Sequence, residues 1–166
     1  GHLMFTCTGS EANDLALRMA KYHTGHEGII VTSEAYHGNS ELTAGFSPSM
    51  GENSRLGAWV RRVPAPDTYR GEAGNMGDWL AAHVSEQIRD LERRGQGLAA
   101  FVADSLFTSD GIFPNDPGIL EPVIAIVRAA GGVFVADEVQ CGFARTGWRM
   151  WGYQRQGVVP EIISLG

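Results

Sequence analysis

Apolar positions recur along this chain in two rhythms, and their alternation predicts the order of its elements. Between Thr8-Gly9-Ser10 and Gly25, the residues Ala12, Leu15, Ala16, Met19 and Ala20 fall on one helical face, which predicts a first helix. Gly28 to Ser33 (Gly-Ile-Ile-Val-Thr-Ser) is short, β-branched and almost wholly apolar, the make-up of a buried parallel strand. Ser40 to Arg55 reads as a short helix followed by a loop, and Trp59 to Val63 as a short strand stopped by Pro64 and Pro66. The clearest helix runs from Asp78 to Arg94, with Leu80, Val84, Ile88 and Leu91 on one side, charge on the other and Gly95 at its end. Leu98 to Asp104 is the next strand, and Pro117 to Ala130 the next helix, with Pro117 suiting its first turn. Gly132 to Val139 is another apolar strand. A Gly-rich loop through Gly147, a short aromatic helix and a strand from Glu161 to Leu165 complete the pattern.

Strands alternating with helices predict an α/β fold, a mostly parallel sheet covered by helices on both faces. A chain of 166 residues is one ordinary domain, and 43% apolar residues supply a core. No repeat or linker divides it. It starts within a loop-to-helix unit and ends at a strand tip, so the expectation is part of a larger domain.

Charge and composition narrow the partners. The formal net charge is −6, and the arginine pairs at 61–62 and 93–94 are too local to form a basic face, so no nucleic acid is expected. No apolar stretch approaches the ~20 residues of a membrane span, and no signal peptide opens the chain. Neither a membrane nor an export route is expected. Cys7 and Cys141 lack metal-ligand spacing and suggest no disulfide framework, which favours a reducing, cytoplasmic setting. Glycine is the compositional outlier, at 22 residues, and its excess points to turns and ligand-facing loops.

Four segments carry candidate chemistry. At Thr8-Gly9-Ser10-Glu11-Ala12-Asn13 a turn meets a helix start, where free N–H groups and the positive end of the dipole can hold a phosphate; an ordinary Thr or Ser cap would use the same residues. Asp137-Glu138-Val139-Gln140 ends the run Val133-Phe134-Val135-Ala136, placing a carboxylate where open α/β sheets bind ligands. Such a carboxylate needs a cationic or hydrogen-bonding partner. A protonated pyridine nitrogen would serve, and so would a structural ion pair with Arg145, while Glu138 reads as a structural group. Tyr36-His37-Gly38 follows the first strand, with a ring that could stack on a planar ligand or pack in a loop, and an imidazole that could carry protons. Asp104-Ser105 and Ser109-Asp110-Gly111 stand at the next strand tip, as a site contribution or as turn chemistry. His2, His23, His26 and His83 have no such setting, and with Cys7 they form no metal constellation.

Taken together and in this order, these segments resemble class III, ornithine-aminotransferase-like enzymes, which use pyridoxal 5′-phosphate on fold type I. The resemblance runs nearly end to end. Phe5 to Arg18 is similar to the family's phosphate loop and helix, Ala35-Tyr36-His37-Gly38 to its aromatic-His-Gly turn, and Ala136 to Gly147 to its most specific signature. Pro160 to Gly166 resembles the strand that leads into the Schiff-base lysine. By position, the resemblance implies that Gly9 and Ser10 bind the cofactor phosphate and that Tyr36 stacks on the pyridine ring, beside His37. It implies that Asp137 pairs with the ring nitrogen and that Gln140 reaches the ring hydroxyl. Asp104 stands where many members have Glu in a Glu-Pro-Val-Gln-Gly-Glu-type segment, whose second Glu falls on Ser109.

The resemblance implies an enzyme that transfers an amino group from an amino donor to a 2-oxo acid, working at least as a homodimer. The alanine–glyoxylate aminotransferase-like and amino-alcohol-phosphate lyase-like branch is the nearer one, so elimination from an amino-alcohol phosphate is the alternative, as is a catalytically incomplete cofactor-binding core. The chain holds twelve arginines and a single lysine, Lys21. Lys21 lies eleven residues beyond Ser10, about 16 Å along a helix axis. The resemblance implies that the cofactor-linked lysine follows directly after Gly166, and that residues 1–166 are a partial large domain without the N-terminal segment and the small C-terminal domain.

Overall fold

The computed structural model describes residues 1–70, 74–114 and 116–166. Helix α1 (Gly9–Thr24) opens at Thr8, whose hydroxyl accepts from Glu11 N at 3.1 Å, and closes at Gly25 in the left-handed conformation. Strand β1 (Gly28–Thr32) follows, then a short helix α2 (Glu41–Ala44), a 3₁₀ turn (Pro48–Met50) and β2 (Val60–Val63). Helix α3 (Met76–Arg93) begins at Asn75, whose side chain accepts from Gly77 N and Asp78 N. Strand β3 (Leu98–Ala103), α4 (Glu121–Ala129), β4 (Val133–Asp137), a 3₁₀ segment (Gly152–Gln156) and β5 (Ile162–Ser164) complete the order.

The described strands form one parallel sheet in the order β2-β1-β3-β4-β5. Successive side chains of a strand face opposite ways, and here each face has its own core. Ile29, Val31, Ala100, Val102, Val133 and Val135 pack with Ala16, Leu17 and Ala20 of α1. Ile30, Phe101, Phe134 and Ala136 pack with Leu80, Val84 and Leu91 of α3 and with Val123, Ile124 and Val127 of α4. Both faces are therefore covered, as the α/β reading expects. Strand order reverses direction between β1 and β3, and such a switch point opens a crevice at the carboxyl ends of the strands.

Two expectations change. The buried stripe of α1 is Asn13, Ala16, Leu17 and Ala20, while Met19 is exposed. The stripe thus begins on a polar residue, which an apolar count passes over. Helix α4 starts at Glu121 with Pro122 in its first turn, and Pro117 lies in the preceding turn, because Gly118 takes φ +91°, outside the helical region. No helix among the described residues is long and apolar enough to cross a membrane.

At the sheet's far edge, Asp90 on α3 accepts from Arg61 Nε (2.6 Å) on β2, from Arg94 Nε (2.9 Å) and from Arg93 Nη2 (3.3 Å). Arg61 and Arg94 do most to hold the carboxyl at about 2, below its usual value. A depressed folded pKa stabilises the fold above the unfolded value, ~3.9, and that contribution disappears as pH falls through the folded value. Asp90→Asn is expected to lower the urea midpoint slightly at pH 7, because solvent screens the pair. The gap between variant and parent is expected to close from about pH 4 to pH 2, read by urea titration at each pH.

Candidate active site

The carboxyl ends of β1, β3 and β4 and the N-terminus of α1 meet around a cleft of about 220 Å³. Gly9 and Ser10 stand at one end of it, Tyr36 and His37 on the β1 side, and Asp104, Asp137 and Gln140 on the β3–β4 side. The seven residues that the resemblance sets at the cofactor site therefore line one cleft, while Ser105, Ser109 and Asp110 do not line it.

The helix end offers groups suited to an anion. Thr8 satisfies Glu11 N by its hydroxyl and Ala12 N by its carbonyl, while the N–H groups of Gly9 and Ser10 have no acceptor among the described residues. Two free N–H groups at the positive end of a 16-residue helix suit a phosphate. The Ser10 hydroxyl donates to Asn39 Oδ1 and accepts from Asn39 N, both at 3.1 Å, which fixes it beside those amides. Neighbouring side chains leave little room for a Cβ at Gly9 or Gly38. A Cβ on Gly9 would sit 3.1 Å from Val139 Cγ2, and one on Gly38 would sit 2.6 Å from Ser10 Oγ.

Asp137 ends β4 at 5% exposure. Its Oδ2 accepts from His37 Nδ1 and from Asn13 Nδ2, each at 2.8 Å, and its Oδ1 accepts from Val139 N at 3.1 Å. Burial opposes the charge and acts to raise the pKa, but the hydrogen bond and charge of His37, with Val139 N and Asn13, outweigh it and hold the carboxyl below its ordinary value. Asp137 is thus a buried carboxylate kept ionised. The proton of the His37–Asp137 bond belongs to Nδ1, since a carboxylate only accepts.

The His37 ring is itself held in place. It stacks on Phe46 at 5.6 Å between ring centres, and its backbone N–H donates to Ser47 Oγ at 2.9 Å. The single Ser47 hydroxyl proton is shared between Thr43 O at 2.7 Å and Gly38 O at 3.2 Å, so the 36–38 turn is tied to α2. Tyr36 stays 41% exposed on the cleft, and Gln140 is exposed with no hydrogen-bond partner among the described residues. Both are free to meet a ligand.

Other candidates separate. Asp104 lines the cleft, but its carboxylate accepts from Leu106 N (2.9 Å), Thr108 N (3.0 Å) and the Thr108 hydroxyl, so it also shapes the turn after β3. The ion pair between Asp137 and Arg145 does not form: Arg145 Nη1 donates to Gly142 O at 2.9 Å, and Asp137 draws its partners from α1 and the β1 turn instead. Glu138 is fully buried and accepts from Gly152 N (2.7 Å) and Tyr153 N (2.8 Å), a structural group that holds the 3₁₀ segment. Lys21 sits in the last turn of α1, bonded to Glu27 at 2.7 Å and 4.1 Å over the Trp59 ring. Among the described residues no cluster of His, Cys, Asp and Glu could hold a metal.

The sequence named Asn13 and Asp110 within its candidate segments but assigned neither a partner. Asp110 accepts from Thr32 Oγ1 (2.6 Å) and Glu34 N (2.8 Å), tying the loop after β3 to the tip of β1. For Asn13 the available signal was its place at the head of the buried stripe, where a poor helix former has no packing reason to stand.

These groups fit the cofactor that the resemblance implies. A phosphate matches the free amides of Gly9 and Ser10, a pyridine ring matches Tyr36, and a ring-nitrogen proton matches the ionised Asp137. Comparison with known proteins agrees. Residues 1–166 match the family model described as aminotransferase class-III. The chain is 39% identical over 166 residues to the mitochondrial alanine–glyoxylate aminotransferase 2 homolog 2 of Arabidopsis thaliana, covering 98% of this chain and 34% of that one. It is 35% identical over 182 residues to ethanolamine-phosphate phospho-lyase homolog 1 of Caenorhabditis elegans, covering 99% and 39%. Among solved structures, a phospholyase from Arthrobacter in complex with phosphoethanolamine superposes with a TM-score of 0.89 at 41% identity, over 97% of this chain and 39% of that one. The omega-transaminase of Pseudomonas jessenii in complex with PMP gives 0.83 at 28%, over 97% and 38%. The chain spans about a third of the length of the curated relatives it matches.

Proposed function

The chain belongs to the class-III aminotransferase family, and from that premise we propose that it forms the cofactor-holding core of an enzyme that moves an amino group from an amino donor to a 2-oxo acid. Enzymes of this family use pyridoxal 5′-phosphate, and the fold is that of the fold type I large domain. The observation that carries the proposal is Asp137: a carboxylate held ionised at the end of β4, across one cleft from the open amides of α1.

When bound, the cofactor supplies a protonated pyridine ring that acts as an electron sink as the donor's α-carbon loses its proton. This chain's residues prepare the place. Gly9 N–H and Ser10 N–H would hold the phosphate, with the Ser10 hydroxyl beside them, and Tyr36 would cover one ring face. Asp137 would keep the proton on the ring nitrogen, and Gln140 would reach the ring hydroxyl. His37 and Asn13 orient the carboxylate. The base that moves the α-carbon proton is a different matter. Lys21 stands at the far end of α1 in an ion pair, so in the whole protein that role falls to another lysine. The whole protein is proposed to work as a homodimer.

A second reading is favoured by two similarities already given: the Arthrobacter phospholyase at 41% identity and the phospho-lyase homolog at 35%. In that reading the same site eliminates phosphate from an amino-alcohol phosphate. Product analysis of the whole protein loaded with pyridoxal phosphate separates the two. Amino-group transfer that requires a 2-oxo acid supports the aminotransferase, whereas phosphate release from phosphoethanolamine without an acceptor replaces it with the lyase. Borohydride reduction is expected to fix the cofactor on a lysine other than Lys21. A reduced adduct on Lys21 overturns the placement of the site.

A further inference from the structure

Asn13 lies inside α1, one turn beyond the amides that meet the phosphate, and is 2% exposed. Its side-chain N–H₂ group donates twice: to Asp137 Oδ2 at 2.8 Å and to the backbone carbonyl of His37 at 2.8 Å. One amide therefore joins the helix that starts the phosphate cradle, the turn that follows β1 and the tip of β4. The three segments are far apart in sequence, with Asn13 and Asp137 separated by 124 residues.

The orientation of this amide is fixed by chemistry. Turned over, it would set its oxygen against two acceptors, the His37 carbonyl and Asp137 Oδ2. In the orientation seen, Oδ1 is buried with no donor among the described residues, a cost accepted only because both N–H groups have partners. The consequence falls on Asp137. Its Oδ2 is filled by Asn13 and His37, while among the described residues Oδ1 accepts only from Val139 N and retains an open lone pair.

We propose that Asn13 is a positioning residue of the cofactor-ring site: by bonding Asp137 Oδ2 and the His37 carbonyl together, it locks the carboxylate so that Oδ1 alone is offered to the ring-nitrogen proton. The proposal rests on the pyridoxal-phosphate reading above. It makes Asn13 act through Asp137, with no contact to substrate.

The test uses the whole protein loaded with pyridoxal phosphate labelled with ¹⁵N in the ring, comparing the parent with Asn13→Leu and Asn13→Asp. Leu fills nearly the same volume without donors, and Asp sets a second carboxylate against Asp137. The expected result is a kcat about ten-fold lower for Asn13→Leu, the scale of one lost hydrogen bond to a charged acceptor, and lower again for Asn13→Asp. KM for the amino donor is expected to stay within about two-fold, since Asn13 does not touch it. The ring ¹⁵N resonance is expected to move toward its unprotonated position in the same order. A purely space-filling Asn13 would leave the ring resonance and kcat of Asn13→Leu unchanged, and that result overturns the proposal. Asn13→Ser, which keeps one donor, carries the same comparison where Leu prevents folding: an intermediate kcat and shift support the role, and parental values overturn it. A parent protein that binds no cofactor removes the underlying reading; one that binds and turns over beside indifferent variants removes this inference alone.

Discussion

Asp137→Asn is expected to lower kcat of the cofactor-loaded whole protein by on the order of 10²–10³-fold, the range for removing one preorganised electrostatic partner at a reacting centre. The substitution is isosteric but removes the charge that balances a protonated ring nitrogen. It also breaks the local pattern. Oδ2 of Asp137 accepts from two donors and Oδ1 from a third, so an amide there must turn its own N–H₂ toward at least one of them. Two donors facing each other in a buried site are costly. Single-turnover rates with an amino donor, with cofactor occupancy checked by absorbance, measure the effect. An occupied variant turning over within about three-fold of the parent would remove Asp137 from the chemistry. The depressed pKa of the parent carboxyl also sets a sign. Its contribution is present above the unfolded value of ~3.9 and is lost as pH falls through the lower folded value, so Asp137 is expected to add no acid limb to the rate profile above about pH 4.

Gly38→Ala is the second change with a large expected effect, and it acts by shape. Gly38 takes φ +135°, a region that side chains strain to enter, and its Cβ would lie 2.6 Å from Ser10 Oγ, 2.6 Å from Thr43 Oγ1 and 2.9 Å from Ser10 Cα. The hydroxyls could rotate away, but the backbone of Ser10 could not without moving the start of α1. Strain of this kind costs about 1–3 kcal/mol. Since 1.4 kcal/mol is ten-fold in affinity, the cofactor Kd is expected to rise by roughly 10–100-fold. Gly25→Ala is the control. Gly25 is also left-handed, at φ +69°, but a Cβ there meets nothing within 4 Å. That variant should lose about 1 kcal/mol of stability and bind cofactor as the parent does. Equal loss of affinity in both would show that the Gly38 effect is general destabilisation rather than a displaced cradle.

Much of the fold was legible because its signals are local. The strands are short apolar runs buried on both faces, as in β1 and β3, where every residue is buried. Helix α3 carries Leu80, Val84, Ile88 and Leu91 on one face between a polar cap and Gly95. Local reasoning placed Pro117 in the first turn of α4, and the structure places Pro122 there, because the conformation of Gly118 decides which turn can lead into the helix.

The site was legible in part. Strand-end position and motif order brought Gly9, Ser10, Tyr36, His37, Asp104, Asp137 and Gln140 forward, and one cleft holds them all. What holds Asp137 ionised was not legible. Its partners are 100 and 124 residues away, and the nearer cation, Arg145, turns to a backbone carbonyl instead. Proximity in sequence suggested the wrong partner; the sheet, by setting β1 beside β3 and β3 beside β4, brought the right ones to one edge. The role of Asn13 was hidden although its segment was named, since inside a helix a single polar residue in an apolar stripe does not show which distant group it meets.

A crystal structure of the whole protein with pyridoxal phosphate bound decides whether this cleft is the cofactor site. The ring nitrogen is expected within hydrogen-bond distance of Asp137 Oδ1, with the phosphate on the N–H groups of Gly9 and Ser10. A ring nitrogen paired elsewhere, or a phosphate away from the start of α1, would contradict it.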